Sequence, residues 1–251
     1  MSGVAGEEGT VSVGTAGVTG VAGVRNLRDA GGVGALRRGV LYRSAALHGL
    51  SPAGARQVAE LGVRTVVDLR SVPEVADRPD DGLGPEVEHC HLPVFTEQRW
   101  PADQAELYPA MAEHGGPAAA ALVRRLARPG ALPALVHCAS GKDRTGVVVA
   151  VLQLLLGATD EEVTADFLRS NAALGLTVEA AGAGHNTRPV AAVHLRRALL
   201  WIRSHHGSVE DWLRTHGAAA KHLDAVRAAL AGPDGARGAG GDDRRSGAGA
   251  D

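Results

Sequence analysis

Little in this 251-residue chain is chemically conspicuous: cysteine occurs twice, lysine twice, and aromatic residues make up only 3%. Two cysteines, Cys90 and Cys138, are too few for a disulfide framework, which excludes the small stapled scaffolds and fits a reducing compartment. A formal net charge of -2 provides no global basic field, so neither nucleic acid nor an anionic membrane surface is an expected partner. Any anion must then be held by local geometry. The longest apolar run, residues 147–156, is too short for an integral membrane segment, and the N-terminus lacks a basic stretch followed by an apolar core. The expectation is a cytoplasmic protein, with export by a route independent of a signal peptide left open.

What the chain does have is enough apolar residue, 45%, to bury one good core. Residues 1–22 read as a flexible leader with one edge strand near 10–13, residues 23–231 as a single domain, and residues 232–251, all Gly, Ala, Pro, Ser and charge, as a disordered tail. Within the domain, strand-like runs at 39–45, 63–69, 87–94 and 134–138 alternate with helical ones at 51–61, 102–112, 117–127 and 144–156. Four more helices, at 160–170, 189–205, 209–215 and 219–230, make the C-terminal part helical. This pattern predicts an α/β fold with a mostly parallel central sheet flanked by helices. Ligands in such sheets bind beyond the carboxyl ends of the strands.

At one such end lies HCASGKDRTG, residues 137–146. Cys138 closes a strand and Arg144 opens an apolar helix, whose first free N–H groups therefore point into the five residues between them. Those N–H groups, the positive end of the helix dipole and Arg144 favour a phosphate, and they favour thiolate over thiol at Cys138. The amides of Ala139, Ser140, Gly141 and Lys142 are candidate phosphate ligands. Gly141 and Gly146 allow a tight turn and close approach of the ligand. Arg144 brings a planar fork that matches two phosphate oxygens. Thr145 can steady the sulfur as a leaving group, and His137 can orient the loop from behind. Taken singly, each of these residues has an ordinary structural explanation. The set in this order points to phosphoryl transfer onto Cys138, followed by hydrolysis of the phosphocysteine. A rhodanese-type sulfur carrier also presents a cysteine in a turn, but its loop is shorter and lacks the closing Arg-Thr pair.

The decapeptide resembles the signature loop of cysteine-dependent protein tyrosine phosphatases. Its GKDRTG half is similar to the bacterial tyrosine and phosphoinositide phosphatases, including secreted mycobacterial ones. NLRDAGG (26–32), LYRSAAL (41–47), TVVDLRSVPE (65–74) and HGSVEDWLRTHG (206–217) extend the likeness over residues 24–230. The resemblance implies a tyrosine phosphatase-like fold and a hydrolase of phosphotyrosine proteins that uses no metal and no cofactor. Phosphoserine, phosphothreonine or phosphoinositides come within its range, the last because relatives with a basic residue at the position of Lys142 accept multiply charged head groups.

Expelling an alkoxide or phenolate needs a proton donor. Asp143 is the first candidate, since a carboxylate beside a phosphate dianion is disfavoured and the family implicates this position. Asp103, in WPAD, resembles the mobile acid loop of other relatives with one residue inserted, but suits a helix start equally well. Asp68, expected at the rim near Cys138, is a third candidate for the acid, or else positions Arg144 or water. Arg28, Asp29 and Arg43 fit either pocket walls or a structural ion pair. Cys90 reads first as a buried strand residue and second as a partner that traps oxidised Cys138 in a disulfide. His89 and His91 share a strand face but lack a third metal ligand. The Gly-rich stretch 171–188 stands where the family carries a helical lid, and its small residues imply that the lid is trimmed here. The competing function is a recognition module that holds phosphorylated partners without turnover.

Overall fold

Ser, Thr and Asp caps and short β-branched runs divide the chain into alternating elements. The computed structural model describes residues 12–14, 17–19, 21–178 and 185–235. A small antiparallel hairpin, β1 (Ser12–Gly14) and β2 (Gly17–Thr19), comes first. Then follow β3 (Arg28–Asp29), β4 (Leu41–Ser44), α1 (Pro52–Glu60), β5 (Thr65–Asp68), α2 (Val72–Asp77) and β6 (Glu88–His91). Next come α3 (Gln104–His114), α4 (Gly116–Leu126), β7 (Ala134–His137), α5 (Arg144–Leu155) and α6 (Asp160–Leu174). A short turn of 3₁₀ helix at His185–Thr187 precedes α7 (Ala192–His206), α8 (Val209–Thr215) and α9 (Ala220–Gly235).

The main sheet has the order β3-β4-β7-β5-β6, parallel throughout except for β3. Its register places Ser44, His137, Asp68 and His91 level at one rim. The predicted α/β class, mostly parallel sheet and helical C-terminal part are all observed. Side chains alternate across the sheet. Leu135 and Val66 join the small core beneath α1, whereas Val136 and Val67 join the large core shared with the remaining helices. β7 lies at the centre and all four of its residues are buried. α5 follows directly from it, and every residue of this helix except Leu154 is buried, as its all-round apolar sequence predicts. In the helical layer, α7 packs on α3 and α9 on α4.

Several boundaries differ from expectation. Helix α2 is not among the expected helices; its N-terminus is marked by a Ser71/Glu74 capping box. Helix α6 continues four residues past 170 to bury Leu174, and stops at Gly175, whose φ of 65° suits a C-terminal glycine. Helix α9 continues to Gly235, beyond the tail boundary at 231. The strand expected near 10–13 begins at Ser12, and most of the leader and residues 236–251 of the tail lie outside the described residues. Among the described residues, no helix is long and apolar enough to cross a membrane.

Candidate active site

The loop between β7 and α5 is shaped from behind by the two N-terminal motifs. Ala46 N–H donates to Ala139 O (3.2 Å), Asn26 Nδ2 to Ser140 O (3.0 Å) and Arg43 Nη2 to Gly141 O (2.9 Å). In a trans peptide the N–H points opposite to the C=O. Gripping three successive carbonyls from outside therefore turns the N–H groups of Ser140, Gly141 and Lys142 toward the concave side. Gly141 makes this possible: its φ is +69°, and a Cβ there would lie 2.1 Å from Ser44 O. At Gly146 a Cβ would meet the Phe167 ring at 2.7 Å. Gly141 thus makes the expected tight turn, whereas Gly146 is required by the Phe167 ring packed against it.

The gripping residues are themselves clamped. Arg43 Nη1 pairs with Asp166 Oδ2 at 2.9 Å, and Arg28 donates to Asp166 O (3.2 Å), Ser170 Oγ (3.1 Å) and Asn26 Oδ1. Burial, and then the neighbouring Arg43, push the Arg28 guanidinium down to about 9. Burial alone would raise the Asp166 carboxyl, but Arg43 and Arg28 override it and hold it below the ordinary range. Asp29 accepts from Gly31 N (2.8 Å) and Gly39 N (2.9 Å), tying the first motif into a turn. Of the two readings for Arg28, Asp29 and Arg43, the structural one describes their contacts. Asp166, Phe167 and Ser170 were missed; the signal was the i, i+4 pairing of Asp166 and Ser170 on one face of α6.

On the open side, Cys138 is 1% exposed at the base of the loop. Arg144, at the first turn of α5, gives Nη1 and Nη2 to the two oxygens of Glu74, at 2.5 and 2.8 Å, and lies 5.1 Å from the centre of the Trp100 ring. Burial opposes charge on both partners, yet the hydrogen bonds and opposite charges prevail. Glu74 falls from 4.5 to about 2, and Arg144 rises. This end-on pairing uses two of the five guanidinium donors and leaves three. Glu74 belongs to the quoted TVVDLRSVPE motif, but nothing in its spacing revealed a partner seventy residues away.

Asp143 is nearly buried, at 8% exposure, and receives Tyr108 Oη at 2.6 Å and Lys142 Nζ at 2.9 and 2.6 Å. Lys142 is completely buried. The expectation that its charge faces a substrate is therefore corrected: the ammonium is committed to Asp143, because an unpaired charge at that depth would cost several kcal/mol. Its backbone N–H still faces the cradle.

The model of the tyrosine phosphatase family matches residues 19–232. The chain belongs to the tyrosine phosphatase family. Triple specificity protein phosphatase PtpB of Mycobacterium tuberculosis is 31% identical over 177 residues, covering 55% of this chain and 63% of that protein, so the chain spans less than two thirds of PtpB. The putative tyrosine-protein phosphatase H16_A0669 of Cupriavidus necator is 28% identical over 205 residues, covering 71% of this chain and 74% of that protein. Among solved structures, TpbA of P. aeruginosa aligns with a TM-score of 0.40 at 20% identity, covering 83% of this chain and 92% of that one.

The remaining candidates of this family member separate cleanly. Asp103 caps α3, accepting from Ala105 N at 2.9 Å, in agreement with the helix-start reading. Asp68 does reach the rim but does not hold Arg144. It pairs with Arg70 at 2.7 Å, and Arg70 also reaches Asp80 at 2.9 Å. Buried His137 lies 3.0 Å from Asp80 Oδ2 and 3.4 Å from Cys138 O, and Asp80 Oδ1 accepts from Leu47 N at 2.8 Å. Asp68, Asp80 and His137 lie close enough to chelate a cation, but the Arg70 guanidinium already bridges the two carboxylates. His91 Nε2 is 2.8 Å from Arg70 O, and His89 is exposed.

Cys90 is aligned with Val67 and, through it, with Val136. Two strand spacings and two further residues separate its Cα from that of Cys138 by roughly 12 Å, well beyond the ~7 Å a disulfide spans. The half-buried Cys90 instead contacts Glu88 at 3.5 Å, so the protective disulfide is not supported by this register. Residues 179–184, within the Gly-rich stretch read as a trimmed lid, lie outside the described residues. Next to it, Asn171 bridges to Val190 by two 2.8 Å bonds.

Beside the loop opens a cavity of about 730 Å³, lined by Ala139 and Ser140 of the cradle and by Arg25, His48, Glu74 and Arg78 among others. Among the described residues, no Phe, Tyr or Trp lines it. A smaller one, about 170 Å³, lies on the Asp143 side between Phe95, Trp100 and Arg144. Glu74 borders both.

Proposed function

We propose that the protein hydrolyses phosphomonoesters, acting on phosphotyrosine proteins through a phosphocysteine intermediate. One observation carries this reading: the carbonyls of Ala139, Ser140 and Gly141, between Cys138 and Arg144, are gripped from outside, which favours N–H groups aimed inward. In the proposed cycle the Cys138 sulfur attacks phosphorus as the bond to the leaving oxygen breaks. The amides of Ala139 to Lys142 and the free donors of Arg144 hold the equatorial oxygens. Asp143 passes a proton to the leaving oxygen, then takes one from the water that attacks the phosphocysteine. The P–S bond breaks and sulfur leaves as thiolate. Thr145 Oγ1, buried without a hydrogen-bond partner among the described residues, is available to donate to it. Every step uses groups of this chain, so we expect chelators to leave the rate unchanged.

Residues 23–231, with the last turn of α9, form the proposed catalytic unit, and the reducing cytoplasm is its proposed compartment. The large cavity supports a second reading, in which multiply charged head groups such as phosphoinositides are also accepted. Its walls offer Arg25, His48 and Arg78 beside the acidic Glu74 and Asp77, and among the described residues no Phe, Tyr or Trp to face a tyrosine ring. A binding module without turnover would keep the cradle but not the reaction.

The test is turnover of a phosphotyrosine peptide and of an activated aryl phosphate by wild type and Cys138→Ser. The proposal expects a loss of about 10³-fold or more on both substrates, the scale on which losing a nucleophile acts. Comparable turnover by the two proteins contradicts it. Saturable binding of the peptide by a wild type that never turns over would favour the recognition module.

A further inference from the structure

The proposed cycle leaves open which oxygen of Asp143 carries the transferable proton and what holds it there. A carboxylate has about four acceptor positions, two on each oxygen. Tyr108 Oη takes one on Oδ1, at 2.6 Å, and Lys142 Nζ approaches Oδ1 at 2.9 Å and Oδ2 at 2.6 Å. Three positions are thereby engaged and one remains, on Oδ2.

We propose that Tyr108 and Lys142 are positioning residues that reserve Oδ2 of Asp143 as the single seat of the proton passed to the leaving group. This rests on Asp143 being the donor. The proton leaves Oδ2 as the P–O bond breaks, and the carboxylate so formed keeps all three donors. In the second step Oδ2 takes the proton of the attacking water while the P–S bond breaks.

Tyr108 is built to stay in place. It is fully buried on α3, with its ring stacked on His194 of α7 (5.1 Å between centroids, 22° between planes) and edge-on to Phe167 of α6 (6.0 Å, 89°). Burial, and then the charge of Asp143, push its phenol well above the ordinary range, so it serves as a neutral donor. In a chain with only two tyrosines, one fully buried tyrosine thus fixes the orientation of a carboxyl group thirty-five residues away. WPAD also gains a use: its aspartate caps the helix that delivers Tyr108.

The test compares Tyr108→Phe, Asp143→Asn and the double variant on phenyl phosphate, a poor leaving group, and on 2,4-dinitrophenyl phosphate, a good one. Phenylalanine preserves the ring contacts and removes only the hydroxyl. Asp143→Asn should lose about 10²-fold or more on the poor leaving group and far less on the good one, as loss of a general acid does. Tyr108→Phe should show the same split at about tenfold, and should add nothing to Asp143→Asn in the double variant. Lys142→Met provides a second route to the same split if Tyr108→Phe folds poorly. Equal losses of Tyr108→Phe on both substrates, or a loss that multiplies with that of Asp143→Asn, overturn the positioning role. If Asp143→Asn itself shows no leaving-group dependence while Cys138→Ser is dead, the assignment of the donor falls and the phosphocysteine reading stands.

Discussion

The back and the front of the cradle are built in different ways. Behind it, Asn26, Arg28, Arg43 and Asp166 form one connected buried network in which each member holds another or a loop carbonyl. In front, Glu74 and Trp100 meet Arg144, while Tyr108 and Lys142 meet Asp143, as two separate clusters. The back fixes where the amides point, and the front fixes how two chemical groups are presented. Damage at the back should therefore cost structure and activity together. Damage at the front should cost activity with a smaller loss of stability, since each front cluster strands one charge where Asp166 holds two.

The strongest way to break this contrast is Gly141→Ala. The new methyl group would stand 2.1 Å from Ser44 O at a φ of +69°, so the loop must leave β4. We expect turnover to be abolished and stability to fall by about 2–3 kcal/mol, the range of a backbone forced into a strained conformation. Turnover assays and denaturant melts measure the two effects. Asp166→Asn comes next: it strands two buried guanidinium groups, and removing one partner of a buried pair costs about 3–5 kcal/mol. A melt within 1 kcal/mol of wild type would mean that the network is not the clamp described.

Glu74→Gln sharpens the other half. Arg144 loses its orienting carboxylate, so kcat should fall about tenfold or more, and the stability lent by this largely buried pair is lost with it. Its pH behaviour follows from the depressed carboxyl. With Glu74 at about 2 in the fold and 4.5 ordinarily, the stabilisation by the pair is complete above 4.5 and is lost as pH falls toward about 2. The stability difference between wild type and Glu74→Gln should thus be constant at neutral pH and shrink only across that acidic window. A difference that already closes between pH 7 and 5 would contradict the pairing. The smallest effect belongs to Asp103→Asn. Asparagine caps a helix about as well as aspartate, so stability should change by less than ~0.5 kcal/mol, with no leaving-group dependence of the rate. A selective loss on poor leaving groups would return Asp103 to the role of acid.

The same contrast explains what could be read in the sequence. The back was visible in outline because NLRDAGG and LYRSAAL are compact, and their glycines and charges sit at fixed short spacings. The sheet was visible because β-branched runs such as TVVD have few other uses. The front was not visible. Glu74 and Arg144 are seventy residues apart, and Tyr108 and Asp143 thirty-five, and none of these pairs carries a local pattern. Lys142 misled for a related reason. A lysine next to an anion cradle looks like a ligand until the depth of the loop shows that the nearest anion is its own neighbour. Cys90 misled because adjacency in a list of strands is not adjacency in a sheet: β5 stands between β6 and β7.

The central claim is that phosphorus passes through the Cys138 sulfur. The most direct measurement is to quench wild type with denaturant during steady turnover of an aryl phosphate and sequence the phosphorylated peptides by mass spectrometry. The account predicts a phosphorylated peptide in which the modification sits on Cys138, and none from Cys138→Ser. Steady turnover with no phosphorylated Cys138, or with phosphate on another residue, would contradict it.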